Sequence, residues 1–299
     1  VGAKKIICAS TGNTSASAGM FAANENMECD VYIPEGEIAP GKLSQAYQFG
    51  TQMIQVNGNF DDAFTKSLSA AKESGSYTVN SINPFRIEGQ KTIPYRTLEY
   101  LDWKTPDWIV YPGGALGNTS SCGKCLMELY QWGWIKKIPR IAVINAEGAN
   151  TLDVLYNGKF EDTELRWNNG NFDTELIERY YTKMNDDKIR PKTKATAIQI
   201  GKPSNLVKGL RALEFTNGIV ISVTDKEMLD GMSVVGLNGF DCEMASGAVP
   251  AGIKKLLNDN IMKKDDEIVG ILTGRQKEPL LPINYHNDPT NQFAKPPKQ

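Results

Sequence analysis

Histidine is almost absent from these 299 residues, His286 being the only one. A Ser-His-Asp hydrolase needs an imidazole beside its nucleophile, and a lone histidine near a polar tail argues against that class. A four-ligand zinc site is not assembled either, because Cys122-Gly123-Lys124-Cys125 has half of such a spacing and no second cysteine pair follows. Cysteine itself is scarce, five in all, in a chain long enough to fold without covalent staples. Cys8, Cys29, Cys122, Cys125 and Cys242 are therefore expected as buried or helix-surface thiols in a reducing, cytoplasmic compartment. No run of about 18 apolar residues occurs, so no membrane-spanning helix is expected. Neither sign of charge dominates: 33 Lys and Arg stand against 35 Asp and Glu, and this balance lacks the basic footprint of a nucleic-acid binder. With 40% hydrophobic and 23% charged residues the chain is neither disordered nor fibrous. A small-molecule partner is the remaining expectation.

What is present is an alternation. Short apolar runs at 6–10, 29–33, 52–56, 78–80, 108–111, 141–145, 197–200, 219–223 and 268–272 read as strands. Between them lie amphipathic stretches such as 60–74, where Phe60, Phe64, Leu68 and Ala71 mark one face, and 225–235, with Thr224 or Asp225 as its cap. The pattern predicts doubly wound α/β layers in two domains, a smaller one over 1–95 and a larger one over 105–299, with a polar link at 102–106 between them. The larger domain is expected to carry a polar insertion around 157–194 and a polar, Pro-rich C-terminal tail. The text opens partway into an α/β repeat at 6–10, so the smaller domain is expected to be incomplete at its N-terminus.

Three stretches carry chemistry. Ser10-Thr11-Gly12-Asn13-Thr14-Ser15 joins a strand to a small-residue helix, and hydroxyls and an amide at a helix start suit a carboxylate or an oxygen-bearing ring. An ordinary Ser/Thr helix cap accounts for part of that composition. Gly113-Gly114-Ala115-Leu116-Gly117-Asn118 again links strand to helix, and its glycines let the backbone approach a ligand. It lacks the Lys-Ser/Thr ending of a nucleotide loop, so it suits a non-nucleotide phosphate, or is a plain tight turn. The loop 79–92 packs Asn80, Ser81, Asn83, Arg86 and Lys91 together, and a guanidinium fork suits phosphate or carboxylate. Lys42 adds a second cation, or merely caps a helix.

In this order the motifs ASTGNTSAS from Ala9, PEGEIAPGKLSQ from Pro34, QVNGNFDDAF from Gln55, NSINPFRIEGQKT from Asn80, GGALGN from Gly113, ATAIQIGKP from Ala195 and GILTGRQKEP from Gly270 resemble the threonine synthases. These belong to the pyridoxal-phosphate fold-type II, or tryptophan synthase β-like, family. The resemblance covers nearly the whole chain, and NPFRIEGQKT with GNFDDA is its most specific part. It implies two α/β domains with the cofactor cleft between them. It also implies conversion of O-phosphohomoserine and water to L-threonine and phosphate with pyridoxal 5'-phosphate.

Carried over by position, the resemblance sets Asn13 against the cofactor's 3' oxygen. Gly113, Gly114, Ala115, Gly117 and Asn118 fall around its phosphate, and Thr273 at its ring nitrogen. Ser10, Thr11 and Thr14 fall around the substrate carboxylate, with Asn80, Ser81, Asn83, Arg86 and Lys42 around the substrate phosphate. The Schiff-base lysine of the family lies in an S-x-K-D-R-type motif upstream of STGN, a motif in which none of these lysines sits. That lysine is expected ahead of Val1, so residues 1–299 by themselves are expected to be inactive. Arg275-Gln276 replaces the family's histidine-containing form of the last motif. The competing expectations are a serine/threonine dehydratase of the same fold type and a non-catalytic phosphate- or amino-acid-binding remnant. A homodimer is the assembly the resemblance leaves open, with no nucleic acid and no membrane as partner.

Overall fold

Parallel strands need crossover helices, and the alternation of apolar runs and amphipathic stretches supplies both. In the computed structural model, which describes residues 2–35, 46–58, 60–275, 285 and 288–293, the chain falls into two units, 1–86 and 87–299. The first unit runs β1 (Lys5–Ala9), α1 (Asn13–Asn24), β2 (Glu28–Pro34), β3 (Gln52–Val56), α2 (Phe60–Ser74) and β4 (Tyr77–Thr78). Its four strands are parallel in the order β3-β2-β1-β4, with Ile6 level with Cys29 and Asp30 level with Gln52. Successive side chains leave opposite faces of a strand. Ile6, Cys8, Val31 and Ile33 thus pack with Ala18 and Ala22 of α1, while Ile7, Ala9 and Tyr32 pack with Ala63 and Ala71 of α2.

Helix α3 (Phe85–Gln90) crosses the division. The second unit continues with α4 (Thr92–Tyr100), β5 (Trp108–Gly113), α5 (Gly117–Gln131), β6 (Arg140–Ala146), α6 (Thr151–Tyr156), α7 (Thr174–Asp186), α8 (Leu206–Phe215), β7 (Ile219–Val223), α9 (Asp225–Leu237), α10 (Met244–Asn258) and β8 (Ile268–Gly270). The parallel order is β7-β6-β5-β8. Ile109, Tyr111, Ile141 and Val143 face Leu126 and Leu129 of α5 and Leu210 and Leu213 of α8. Trp108, Val110, Ala142 and Ile144 face Met228 of α9 and Ala248 and Val249 of α10. Both sheets are therefore covered on both faces, which is why their strands read as unbroken apolar runs.

Several sequence expectations change. The strand expected at 197–200 is a single 3-10 turn, Thr196–Ile198, whose apolar Ile198 is buried against the core without joining a ladder. The strand expected at 78–80 stops at Thr78, and the one expected at 268–272 stops at Gly270. The polar stretch 157–194 is largely exposed and is anchored to the core at a few positions. Leu176, on the apolar face of α7, and Leu165, ahead of that helix, are fully buried in the core beside α5 and α8. The division between units falls at 86/87, ahead of the polar link at 102–106, since Leu98 of α4 packs with Ile109 and Leu126. Among the described residues no helix is long and apolar enough to cross a membrane.

Candidate functional site

In the second unit the site grows from the C-terminal edge of the sheet. Gly113 at the end of β5 is level with Asn145 at the end of β6. Val110 is level with Gly270 and the Ile271 N–H reaches the Val110 carbonyl, so Thr273 leaves the same edge three residues on, as Gly113 does. Asn145, buried at 2% exposure, donates from Nδ2 to the Gly113 carbonyl at 2.8 Å and accepts the Asp153 N–H at 3.0 Å. A Cβ on Gly113 would lie 2.5 Å from Asn145 Nδ2 and 2.6 Å from Val143 Cγ1, and one on Gly114 would lie 3.0 Å from Ile198 Cα. Only glycine fits the first of these positions.

The loop enters α5 through Leu116, held left-handed at φ +64 with its side chain buried. A non-glycine residue in that region is uncommon, and burial of the leucine is what compensates. No side chain caps α5, so its first N–H groups have no intrahelical partner. In the same turn Thr119 is 1% exposed and its hydroxyl has no partner among the described residues. An uncapped helix start, a buried orphan hydroxyl and a backbone that carries no Cβ at Gly113, Gly114 and Gly117 together fit a phosphate group. Ala115 is tied in place by its carbonyl, which accepts the Asn205 N–H at 3.1 Å, and Asn118 lies on the first turn. Thr273 is fixed from α10: its N–H donates to Ser246 Oγ at 2.8 Å, its hydroxyl lies 3.1 Å from that oxygen, and it donates to Glu243 Oε1 at 3.2 Å.

The first unit gathers the other candidates. Ser10 Oγ accepts N–H groups from Gly12 at 3.2 Å and Ser15 at 3.3 Å, so its own proton is left to donate elsewhere. Thr11, Asn13 and Thr14 follow at the start of α1. Asn80 acts as a short extra strand: its Oδ1 accepts the Ala9 N–H at 2.9 Å and its Nδ2 donates to the Ala9 carbonyl at 2.8 Å. Asn83 donates to the Thr78 carbonyl at 2.6 Å and accepts the Phe85 N–H at 2.9 Å. These two amides therefore build the loop and keep one N–H each to offer. Ser81 is half-buried in the same loop. Arg86 is half-buried beside Cys8 with no carboxylate partner among the described residues. Burial pulls its guanidinium below the usual range. Lys42 lies outside the described residues.

Sequence reading missed Asn145, Ser246, Glu243 and Asn205. Only Asn145 carries a signal, a polar residue closing an apolar strand. The five cysteines are free and buried. Burial pushes the thiols of Cys122 and Cys125 up to about 12 and about 11, which leaves little thiolate at neutral pH. Among the described residues no cluster could hold a metal ion.

A family profile described as pyridoxal-phosphate dependent enzyme matches residues 1–274. The chain is 38% identical over 291 residues to a threonine synthase of Methanocaldococcus jannaschii, covering 97% of this chain and 66% of that protein. It is 34% identical to a threonine synthase of Methanosarcina acetivorans, covering 97% of this chain and 67% of that one. A third threonine synthase, from Bacillus sp., is 36% identical over 95% of this chain and 72% of its own length. The chain thus spans about two thirds of the length of these relatives. Among solved structures, the processed form of threonine deaminase isoform 2 from Solanum lycopersicum superposes with a TM-score of 0.65 at 17% identity, covering 92% of this chain and 70% of that one. Maize serine racemase gives 0.67 at 17%, covering 93% and 75%. At such identities these likenesses show the fold.

Proposed function

Because the chain belongs to the pyridoxal-phosphate dependent enzymes, and within them to the threonine synthases, we propose that the protein converts O-phosphohomoserine and water into L-threonine and inorganic phosphate. Arg86 carries the substrate assignment. A half-buried guanidinium without an acidic neighbour among the described residues is unfavourable until an anion arrives. A phosphate ester offers it two oxygens in a matching plane.

Pyridoxal phosphate, when bound, supplies an electron sink for charge at the amino acid's Cα and Cβ. The residues of this chain bind, orient and hold protons around it. The start of α5, with Gly113, Gly114, Ala115, Gly117 and Asn118, holds the cofactor phosphate, and Thr273, steadied by Ser246, meets the ring nitrogen. Asn13 supports the 3' oxygen. Ser10 donates its remaining proton to the substrate carboxylate, joined by Thr11 and Thr14. Arg86, with Asn80, Ser81, Asn83 and Lys42, grips the substrate phosphate and stabilises the charge that grows on it as it leaves Cγ. Cγ, having lost its phosphate, takes up a proton, and water then adds at Cβ. The five free, buried thiols are in keeping with a reducing cytoplasm.

The test is release of inorganic phosphate and threonine from O-phosphohomoserine by the whole protein with its cofactor. Release of ammonia from threonine or serine, without phosphate from the ester, would replace this reading by a dehydratase.

A further inference from the structure

We propose that Gln90 is a side-chain ligand of the cofactor's phosphate, clamped in place by a ring of four charges; the inference rests on the cofactor assignment above. Gln90 ends α3. The position a Cβ on Gly117 would occupy lies 3.1 Å from Gln90 Oε1 and 3.9 Å from Nε2, so a carboxamide stands over the first residue of the uncapped helix α5. That side chain is half-buried and makes no hydrogen bond among the described residues.

A carboxamide carries two donors and one acceptor, and a half-turn about its last torsion exchanges them with little change of shape. Facing an anion gathered by the N–H groups of α5, it presents N–H. The buried hydroxyl of Thr119, which also lacks a partner among the described residues, belongs to the same helical turn. A buried hydroxyl and a half-buried carboxamide, neither with a partner among the described residues, meet at one helix start and point to a ligand there.

The neighbours of Gln90 explain why it stays. Lys91 Nζ lies 2.6 Å from Glu88 Oε2 and 2.6 Å from Glu128 Oε2. Lys124 closes the ring, contacting Glu88 and lying 3.7 Å from Glu128 Oε1. Glu88 and Lys91 flank Gln90, whereas Lys124 and Glu128 sit on α5, so the ring pins the end of α3 onto the helix whose start binds phosphate.

The experiment titrates pyridoxamine 5'-phosphate, which needs no lysine bond, and unphosphorylated pyridoxamine into the unaltered chain and into Gln90→Ala, Gln90→Met and Gln90→Glu. A lost hydrogen bond to a charged group predicts about ten- to hundred-fold weaker binding of the phosphorylated ligand to Gln90→Ala and Gln90→Met. Gln90→Glu should lose at least as much, since its carboxylate opposes the phosphate. Pyridoxamine should bind all four proteins alike, and the bound phosphorus resonance should shift in the variants. Gln90→Met keeps the side chain's bulk, and decides the matter if Gln90→Ala does not fold by circular dichroism. Variants that bind the phosphorylated ligand as the unaltered chain does, or that weaken both ligands equally, would overturn the inference. An unaltered chain that takes up no pyridoxamine 5'-phosphate would instead remove the cofactor reading beneath it.

Discussion

Arg86 is half-buried and has no carboxylate partner among the described residues, and this makes its substitution diagnostic. Arg86→Met should lower kcat/KM for O-phosphohomoserine by at least about a hundredfold, the loss of a charged bidentate contact. It should also leave the melting temperature unchanged or raised, because a half-buried charge with no carboxylate partner among the described residues gives way to an apolar chain of similar reach. A residue that matters only for folding would show the opposite pairing, with stability lost and specificity kept. The thiols give a second test at this scale. Burial pushes Cys8, Cys122 and Cys242 up to about 12 and Cys29 and Cys125 up to about 11. At pH 8 only about one part in a thousand or less of each is thiolate. Ellman's reagent should therefore label none of the five within minutes in the native protein and all five after unfolding; rapid native labelling would mean the packing around β1, β2 and α5 is looser than described.

Among the elements, α9 and α10 touch through glycine. A Cβ on Gly231 would meet the Gly247 carbonyl at 2.0 Å, and one on Gly247 would meet the Met228 carbonyl at 2.2 Å. Gly231→Ala must push the helices apart and should destabilise the protein by about 1–3 kcal/mol in denaturant titrations. Ser246 is next to Gly247 and holds Thr273, so cofactor affinity should fall in the same variant. The clamp between α3 and α5 has its own pH signature. Hydrogen bonds from Lys124 first, and Lys91 second, hold the Glu88 carboxyl below its usual range. A depressed acid stabilises the fold above its unfolded value and loses that contribution as pH falls through its folded one. Acid should therefore loosen this clamp below the ordinary carboxylate range, and Glu88→Gln should flatten that part of the stability profile.

At the scale of the whole molecule, the two units differ in what they bury. The clusters of the first are small and built largely from Ala, Cys and single branched residues, while those of the second bring together Leu126, Leu129, Ile141, Leu152 and many others. Hydrogen exchange in rising denaturant should expose β1 and β2 before β5 and β6; equal protection of both sheets would show one cooperative unit instead. The amino-acid sequence by itself determined the elements that depend on neighbours along the chain. Helix α2 at 60–74 and strands β3 and β7 have the expected bounds, and Thr224 caps α9 in a reciprocal pair with Glu227, because spacing and capping act within a few residues. Its motifs also reached the family. Tertiary structure alone decided that Asn80 completes a strand, that Asn145 braces Gly113, that Ser246 and Glu243 hold Thr273, and that Leu165 and Leu176 anchor 157–194 to the core. Each of these is a contact between segments far apart in the chain, and a polar residue looks the same in sequence whether its partner is water or a backbone group about thirty or more residues away.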